Sequence, residues 1–474
     1  MKSNPLHYPR DVDPDEVFTQ DTLDKLTAHI FSWQQGVGNF GALMLHACWG
    51  ESSVLTRRYQ GQSTFASWQL MRGAITLYKA TREARWKQLA RDIVSNLLFL
   101  QAPAGGFIHA SNEFEPTYVA ERTCPIHQSL PVVALMEYLL WEESDGWDKE
   151  RILPVVERHW KWMDERMWQS GNGFIRPLPF PGWCGVTNQD LTAIAGLALH
   201  ARVFGDDTRF VKQGLPCLNE ILDRYYYPKI GLMERGDQAN FAERTVYYEI
   251  ILGMLETIFE LTGDNRLLEI HDNIGLHLFD GCYRGDDGHL YFSWGATTDP
   301  SDKTKVSAWI RTPVLISSYP GLLTHLRKVL DRHADPEKQA MLADLERTLA
   351  AYVFADGTIP NALGASDPIF GIATSPNSGT LNFWLYLMDR LGDSLKDPKP
   401  YKLPVIHRRL GDLTWKTNAR LWSIERSGIR LYAGWKINPH GVLHGNEETF
   451  DDVRLEELEP CDIEEELPLM NPHS

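Results

Sequence analysis

A glycine followed within two residues by an apolar side chain recurs at Gly38, Gly106, Gly173, Gly231, Gly288 and Gly357, at intervals of 68, 67, 58, 57 and 69 residues. Each occurrence ends an amphipathic segment and precedes a nearly all-apolar one. The stretch from Pro181 to His200 shows the unit most plainly: a loop Pro-Gly-Trp-Cys-Gly-Val, a capped start Thr187-Asn-Gln-Asp190, then Leu-Thr-Ala-Ile-Ala-Gly-Leu-Ala-Leu-His. Units of this size cannot bury their own apolar faces, so they must stack on one another. Six helical hairpins that close on themselves form an all-α (α/α)6 toroid.

The helical period places outer helices near 84–101, 148–168, 207–226, 264–281 and 335–354, with stripes such as Trp160, Met163 and Met167. Inner helices fall near 62–81, 124–142, 188–205, 240–262 and 308–331, apolar nearly all round. Residues 15–35 read as an outer helix that pairs with the last inner helix, near 377–392, and closes the circle. Inner-to-outer links are short (Thr81-Arg82, Gly205-Asp206, Gly263), whereas outer-to-inner links are long and rich in Trp, Arg, acids, His and Pro. Long loops gathered on one rim of a rigid framework are where sites are usually built. The inner helices begin on that rim, so their positive dipole ends favour an anionic group there.

After residue 393 the helical pattern stops. Ala419–Ile424 and Ile429–Ile437 read as a β-hairpin across Glu425-Arg-Ser-Gly428. The organisation expected is a toroid over 1–393, a β-hairpin extension packed on it over 394–446, and an acidic tail over 447–474. That tail carries much of the net charge of −16: residues 447–466 hold eleven acids and one arginine. The balance disfavours nucleic acid. Six cysteines without a CxxC pair suit reduced thiols. The first residues lack the apolar run of a signal peptide, and Leu130–Trp141 is too short to span a membrane, so a cytoplasmic protein is expected. A homo-oligomer is left open.

Two inner-helix starts carry the chemistry-bearing residues: Thr123-Cys-Pro-Ile-His127-Gln128 and Thr187-Asn188-Gln-Asp190, one repeat apart and therefore side by side on the rim. A histidine followed by an acid at one inner-helix start and an aspartate at the next is the pattern of the unsaturated glucuronyl hydrolases among the six-hairpin glycosidases, which these two starts resemble. The resemblance implies that Asp190 is the general acid and base that protonates a 4,5-unsaturated uronic sugar. Where that family has His-Asp, this chain has His127-Gln128, so one acid is missing. A glycosidase requires an acid able to deliver a proton, and ordinarily a second carboxylate.

The expected function is thus a glycoside hydrolase acting on a small, uronate-containing oligosaccharide, with Asp190, His127 and Glu121 catalytic. Gln128, Asn188, Trp183, Arg122, Arg244, Tyr247, Trp294 and Arg311 are the expected substrate-binding residues: arginines for a carboxylate, tryptophans for a sugar face. Asn240-Phe-Ala-Glu243 reads as a capping box. The rival activities are a lyase with Tyr247, Tyr248 or His127 as base, then a sugar epimerase; the rival outside enzymes is a toroidal binding or scaffold protein. Gly36-Val-Gly-Asn-Phe-Gly41 follows a helix and lacks the context of a dinucleotide loop. His440 and His444 have no nearby cysteine or acid in a metal motif, so neither metal nor other cofactor is expected.

Overall fold

The computed structural model describes residues 6–7, 11–32, 34–36, 39–40, 42–46, 56–60, 64–107, 124–169, 173–174, 186–236, 240–299, 301–311, 314–315, 319–360, 362–363, 378–410, 413–417, 421–426, 429–434, 462–466 and 469–470. Among these, twelve long helices alternate between two layers. The outer ones are α1 (Gln20–Ser32), α3 (Ala84–Leu100), α5 (Gly146–Arg166), α7 (Leu215–Tyr225), α9 (Asn265–Leu278) and α11 (Pro336–Ala351). The inner ones are α2 (Thr64–Thr81), α4 (Pro125–Leu140), α6 (Thr187–Phe204), α8 (Thr245–Thr262), α10 (Tyr319–Arg332) and α12 (Ser378–Leu391). Each inner helix packs on the next, and α12 packs on α2, so the ring closes; α1 lies against α12, as the sequence predicts. No helix among the described residues is long and apolar enough to cross a membrane.

Local chemistry explains the element ends. Asp145 and Asp148 form a reciprocal capping box at the start of α5. Gly205 and Gly263 end α6 and α8 in the left-handed conformation that glycine adopts without strain. The turn glycines behave alike: Gly173, Gly231, Gly288 and Gly357 all have positive φ, but in the second unit Gly105 rather than Gly106 takes that role. α6 is buried from Thr187 to His200, as a helix flanked on both sides and backed by an outer layer must be.

Among the described residues, Trp384 is the aromatic side chain that lies across the closing seam, beside the hydrogen bond from Gln69 Nε2 to Asn382 Oδ1 at 2.7 Å. Trp384, on α12 and 0% exposed, lies across Gly73 of α2. Its indole N–H donates to Thr27 Oγ1 of α1 at 2.9 Å, and its ring meets that of Trp86 on α3. Phe18 packs edge-on against Phe383 and Tyr386 beside it.

Three expectations need correction. α10 begins at Tyr319, not near 308: residues 302–310 form a strand paired antiparallel with Gly295–Asp299. Asp299 and Asp302 accept the backbone N–H groups of Ser301 and Thr304, which turns the chain, and Pro320 sits in the first turn of α10, where its missing N–H costs nothing. α8 begins at Thr245, not 240. Asn240 has φ of 72°, Phe241 bridges Thr297, and Glu243 faces Arg235 instead of capping a helix.

The third correction concerns the C-terminal part, where the expected hairpin belongs to a five-stranded sheet. Its order is Ile429–Gly434, Leu421–Arg426, Leu413–Thr417, Ile406–Leu410 and Ile463–Glu466, the last strand running parallel to its neighbour. Part of the acidic tail is therefore a strand, with Glu464, Glu465 and Glu466 in register with His407, Arg408 and Arg409. The sheet docks on the toroid through Arg408, which is fully buried, covers the Phe354 ring and donates to Asp356 Oδ1 at 3.0 Å. Burial pushes the Asp356 carboxyl up, but Arg408, His29 and the Thr358 hydroxyl together outweigh it and hold the carboxyl below its usual range.

A methyl group on Gly73 would lie 2.0 Å from a Trp384 ring carbon. Gly73→Ala is therefore expected to destabilise the protein by about 1–3 kcal/mol in urea unfolding, the usual cost of overpacking. In a Trp384→Leu background the same substitution should cost little; equal losses in both backgrounds would refute the seam.

Candidate functional site

An inner helix presents one narrow face to the ring axis, so the phase of each polar residue decides what it can reach. On α4 Glu137 lines the bore, and on α6 Leu199 does so. Gln128 and Asp190 each stand nine residues earlier, about half a turn round an α-helix, and so face the outer layer. There they do the same work. Gln128, 0% exposed, accepts the Phe107 N–H at 2.7 Å and donates to the Phe107 carbonyl at 2.8 Å. Asp190, 1% exposed, accepts the Phe174 N–H at 3.3 Å.

Both side chains tie the strand that follows a turn glycine to the next inner helix. A methyl on Gly173 would fall 3.0 Å from Asp190 Oδ2 and 3.1 Å from Cys217 Sγ, which is why glycine stands there. Burial, with Asp190 alongside, pushes the Cys217 thiol well up. Gln128, expected to touch substrate, thus has both ends of its amide committed to backbone. His127 is half-buried on the first turn of α4. Asn188 lies eleven residues before Leu199, about three full turns, and shares its bore-facing phase.

Other expected residues gather around the hairpin 295–310. The Arg244 guanidinium lies 4.5 Å from the Trp294 ring centroid, and the Trp294 carbonyl accepts the Thr245 N–H at 2.9 Å. Arg235 sits over the Tyr247 ring at 5.6 Å and 3.5 Å from Glu243, both charged groups buried. Arg311 is exposed and lies over the Tyr283 ring. Tyr248 accepts the Met233 N–H at 3.0 Å, and burial drives its hydroxyl far above its ordinary value, which ill suits it to act as a base. Glu121, Arg122 and Trp183, with His440 and His444, lie outside the described residues.

The bore itself holds the charged groups that the sequence reading passed over. A cavity of about 630 Å³ runs inside the ring of inner helices, from Glu249 near the start of α8 to Lys79 and Glu260 near the helix C-termini. Arg72 grips Glu137 through Nη2 and Nε at 2.8 and 3.2 Å while stacking on Trp68, whose indole N–H donates to the same carboxylate at 3.2 Å. Lys328 contacts both Glu256 oxygens at 2.9 Å.

Glu249, 7% exposed, occupies the deep end. Gly321 on α10 makes room for it, since a methyl there would fall 2.5 Å from Glu249 Cγ. Oε2 of Glu249 has no hydrogen-bond partner among the described residues. Burial pushes the Glu249 carboxyl up to about 7, against Arg72 and Asn382, which pull it down. The signal for this face was present in the sequence: Glu249, Glu256 and Glu260 sit at intervals of seven and four in an otherwise apolar helix.

No protein-family model and no curated protein sequence matches this chain. Solved structures do match in fold. A cellobiose 2-epimerase from Bacillus thermoamylovorans is 12% identical, with 79% of this chain and 100% of that one covered and a TM-score of 0.54. An unsaturated glucuronyl hydrolase specific for heparin is 12% identical, with 80% and 97% covered and a TM-score of 0.52. A D-mannose isomerase is 11% identical, with 78% and 96% covered and a TM-score of 0.55. The chain has the (α/α)6 toroid that these proteins share.

The buried carboxyl has a measurable consequence. Glu249 moves from an ordinary value of 4.5 to about 7 on folding, so the folded protein holds an extra proton between those values. Its contribution is fully present below about pH 4.5 and is lost as pH rises towards 7. Relative to Glu249→Gln, the native protein should lose about 3 kcal/mol of stability across that window in urea titrations. Parallel curves for the two proteins would refute the assignment.

Proposed function

We propose that this chain is a carbohydrate-active enzyme, a glycoside hydrolase acting on a small, uronate-containing oligosaccharide, with Glu249 as the group that moves the proton. The observation that carries this reading is a carboxyl with one unpartnered oxygen, held near pH 7 by burial, facing a cavity of about 630 Å³. A general acid works best when its pKa lies near the operating pH, because it can then both deliver and recover a proton. On a 4,5-unsaturated uronide, Glu249 gives its proton to the double bond and takes one back from the water that adds. Arg72 and Lys328 line the same cavity and would face the uronate carboxylate.

The likeness in fold to an epimerase, an isomerase and a glucuronyl hydrolase supports the sugar as substrate class and leaves the reaction to the site. In the competing assignment Asp190 is the acid. Its carboxylate lies on the far side of α6 from the bore and accepts a backbone N–H, which suits a positioning role.

The test is incubation with saturated and 4,5-unsaturated uronate disaccharides, followed by the ultraviolet absorbance of the conjugated double bond. Absorbance should fall, Glu249→Gln should slow the loss by about 10²–10⁴-fold, and Asp190→Asn should turn over at near the native rate once folding is verified. Activity that survives Glu249→Gln but not Asp190→Asn would return the proton to Asp190. A rise in absorbance would mean a lyase, and inversion of a sugar carbon without cleavage would mean an epimerase.

A further inference from the structure

Three helices bring together side chains whose sequence positions form no motif: Glu256 on inner helix α8, His271 on outer helix α9 and His325 on inner helix α10. One oxygen or nitrogen from each lies within 4.8 Å of the others. We propose that Glu256, His271 and His325 hold a transition-metal ion, Zn²⁺ by the chemistry of the set, with an open coordination position facing the bore. This inference stands independently of the sugar chemistry above.

The distances are those of a coordination shell. His271 Nε2 and His325 Nδ1 are 3.4 Å apart, and His325 Nδ1 is 3.6 Å from Glu256 Oε2. A hydrogen bond between ring nitrogens would prefer about 2.9–3.0 Å. Two ligands at about 2.0–2.1 Å from a tetrahedral zinc lie about 3.4 Å apart, which is the spacing seen.

The ring orientations agree with this. Two groups meet His271 Nδ1: Asp272 Oδ1 at 2.9 Å, which can only accept, and Arg332 Nη2 at 3.3 Å, which can only donate; the shorter contact gives Nδ1 the proton and leaves the Nε2 lone pair towards His325. Asp272 is fixed in turn by Arg332 at 2.5 and 3.0 Å and by His333 at 2.8 Å. A carboxylate behind a ligating histidine is the usual second layer of a metal site.

Glu256 and His325 line the bore cavity while His271 stands behind them, so the remaining position of a tetrahedron opens inward to water or a substrate oxygen. Lys328 now bridges both Glu256 oxygens; a metal on Oε2 leaves it Oε1. Two imidazoles and one carboxylate suit Zn²⁺ better than the all-oxygen shells of Mg²⁺ and Ca²⁺.

The test uses the full chain, stripped with a chelator and titrated with Zn²⁺ by calorimetry and with Co²⁺ by visible absorption. One site per chain is expected, with the intense bands of tetrahedral Co²⁺ and no competition from Mg²⁺. Asp272→Asn should weaken binding by about 10–100-fold, and His325→Ala, checked for folding by circular dichroism, should remove the tetrahedral bands. Native protein that binds no Zn²⁺, or shows only octahedral Co²⁺, overturns the proposal whatever the variants do. Binding unchanged in folded His325→Ala, as histidines elsewhere would give, overturns it equally.

Discussion

A ring of six inner helices leaves each of them very little freedom. Its flanks touch two neighbours and its back touches the outer layer, so a single strip one or two residues wide looks onto the axis. A polar side chain on such a helix has two addresses: the bore, where water or substrate can meet it, or the seam between layers, where it must find a protein partner. The acids of α8 take the first address. Asp190 and Gln128 take the second, and their partners are the backbone groups of Phe174 and Phe107. An amide and a carboxylate can fill equivalent places because an accepted N–H is common to both. Position on the helix, more than residue type, therefore separates the two roles.

That distinction also measures how far the sequence could be read. The turn glycines and the alternation of amphipathic and apolar segments were sufficient for six hairpins, for the pairing of α1 with α12 and for closure. The errors in α8 and α10 arose where apolar alternation continued into a hairpin: Val306, Ala308 and Ile310 fit either period until strand pairing decides. Asp190 stood out because it begins a helix, but only the ring reveals which face of α6 meets the axis. The glutamates of α8 form a stripe legible in the sequence, but an acid stripe on a helix looks the same whether it faces solvent or an internal bore. Glu256, His271 and His325 could not have been found, since their proximity exists only once three helices pack.

Charge is handled differently in the two parts of the molecule. In the bore, acids and bases pair in a cavity wide enough to keep water, so the pairs can be exchanged for a ligand's groups at modest cost. Beneath the C-terminal sheet, Arg408 and Asp356 pair in full burial, where desolvation offsets much of the attraction. Such a pair fixes the seat of the sheet on the toroid more than it strengthens it, because neither charge tolerates any other arrangement.

Closure by Trp384 has a consequence for how the chain reaches this state. An open array of helical hairpins can nucleate anywhere and add units one at a time. Here the first inner helix finds one of its two neighbours only in the last, and the bond from Trp384 to Thr27 spans 357 residues. The final contact is thus among the most distant in sequence, and distant contacts bear the largest loop-closure penalty and slow folding. During synthesis the N-terminal hairpins must wait, with the Gly73 face of α2 uncovered, until residue 384 has been made. The vulnerable period is set by the ribosome, and the exposed surface is the one that the completed ring hides most thoroughly.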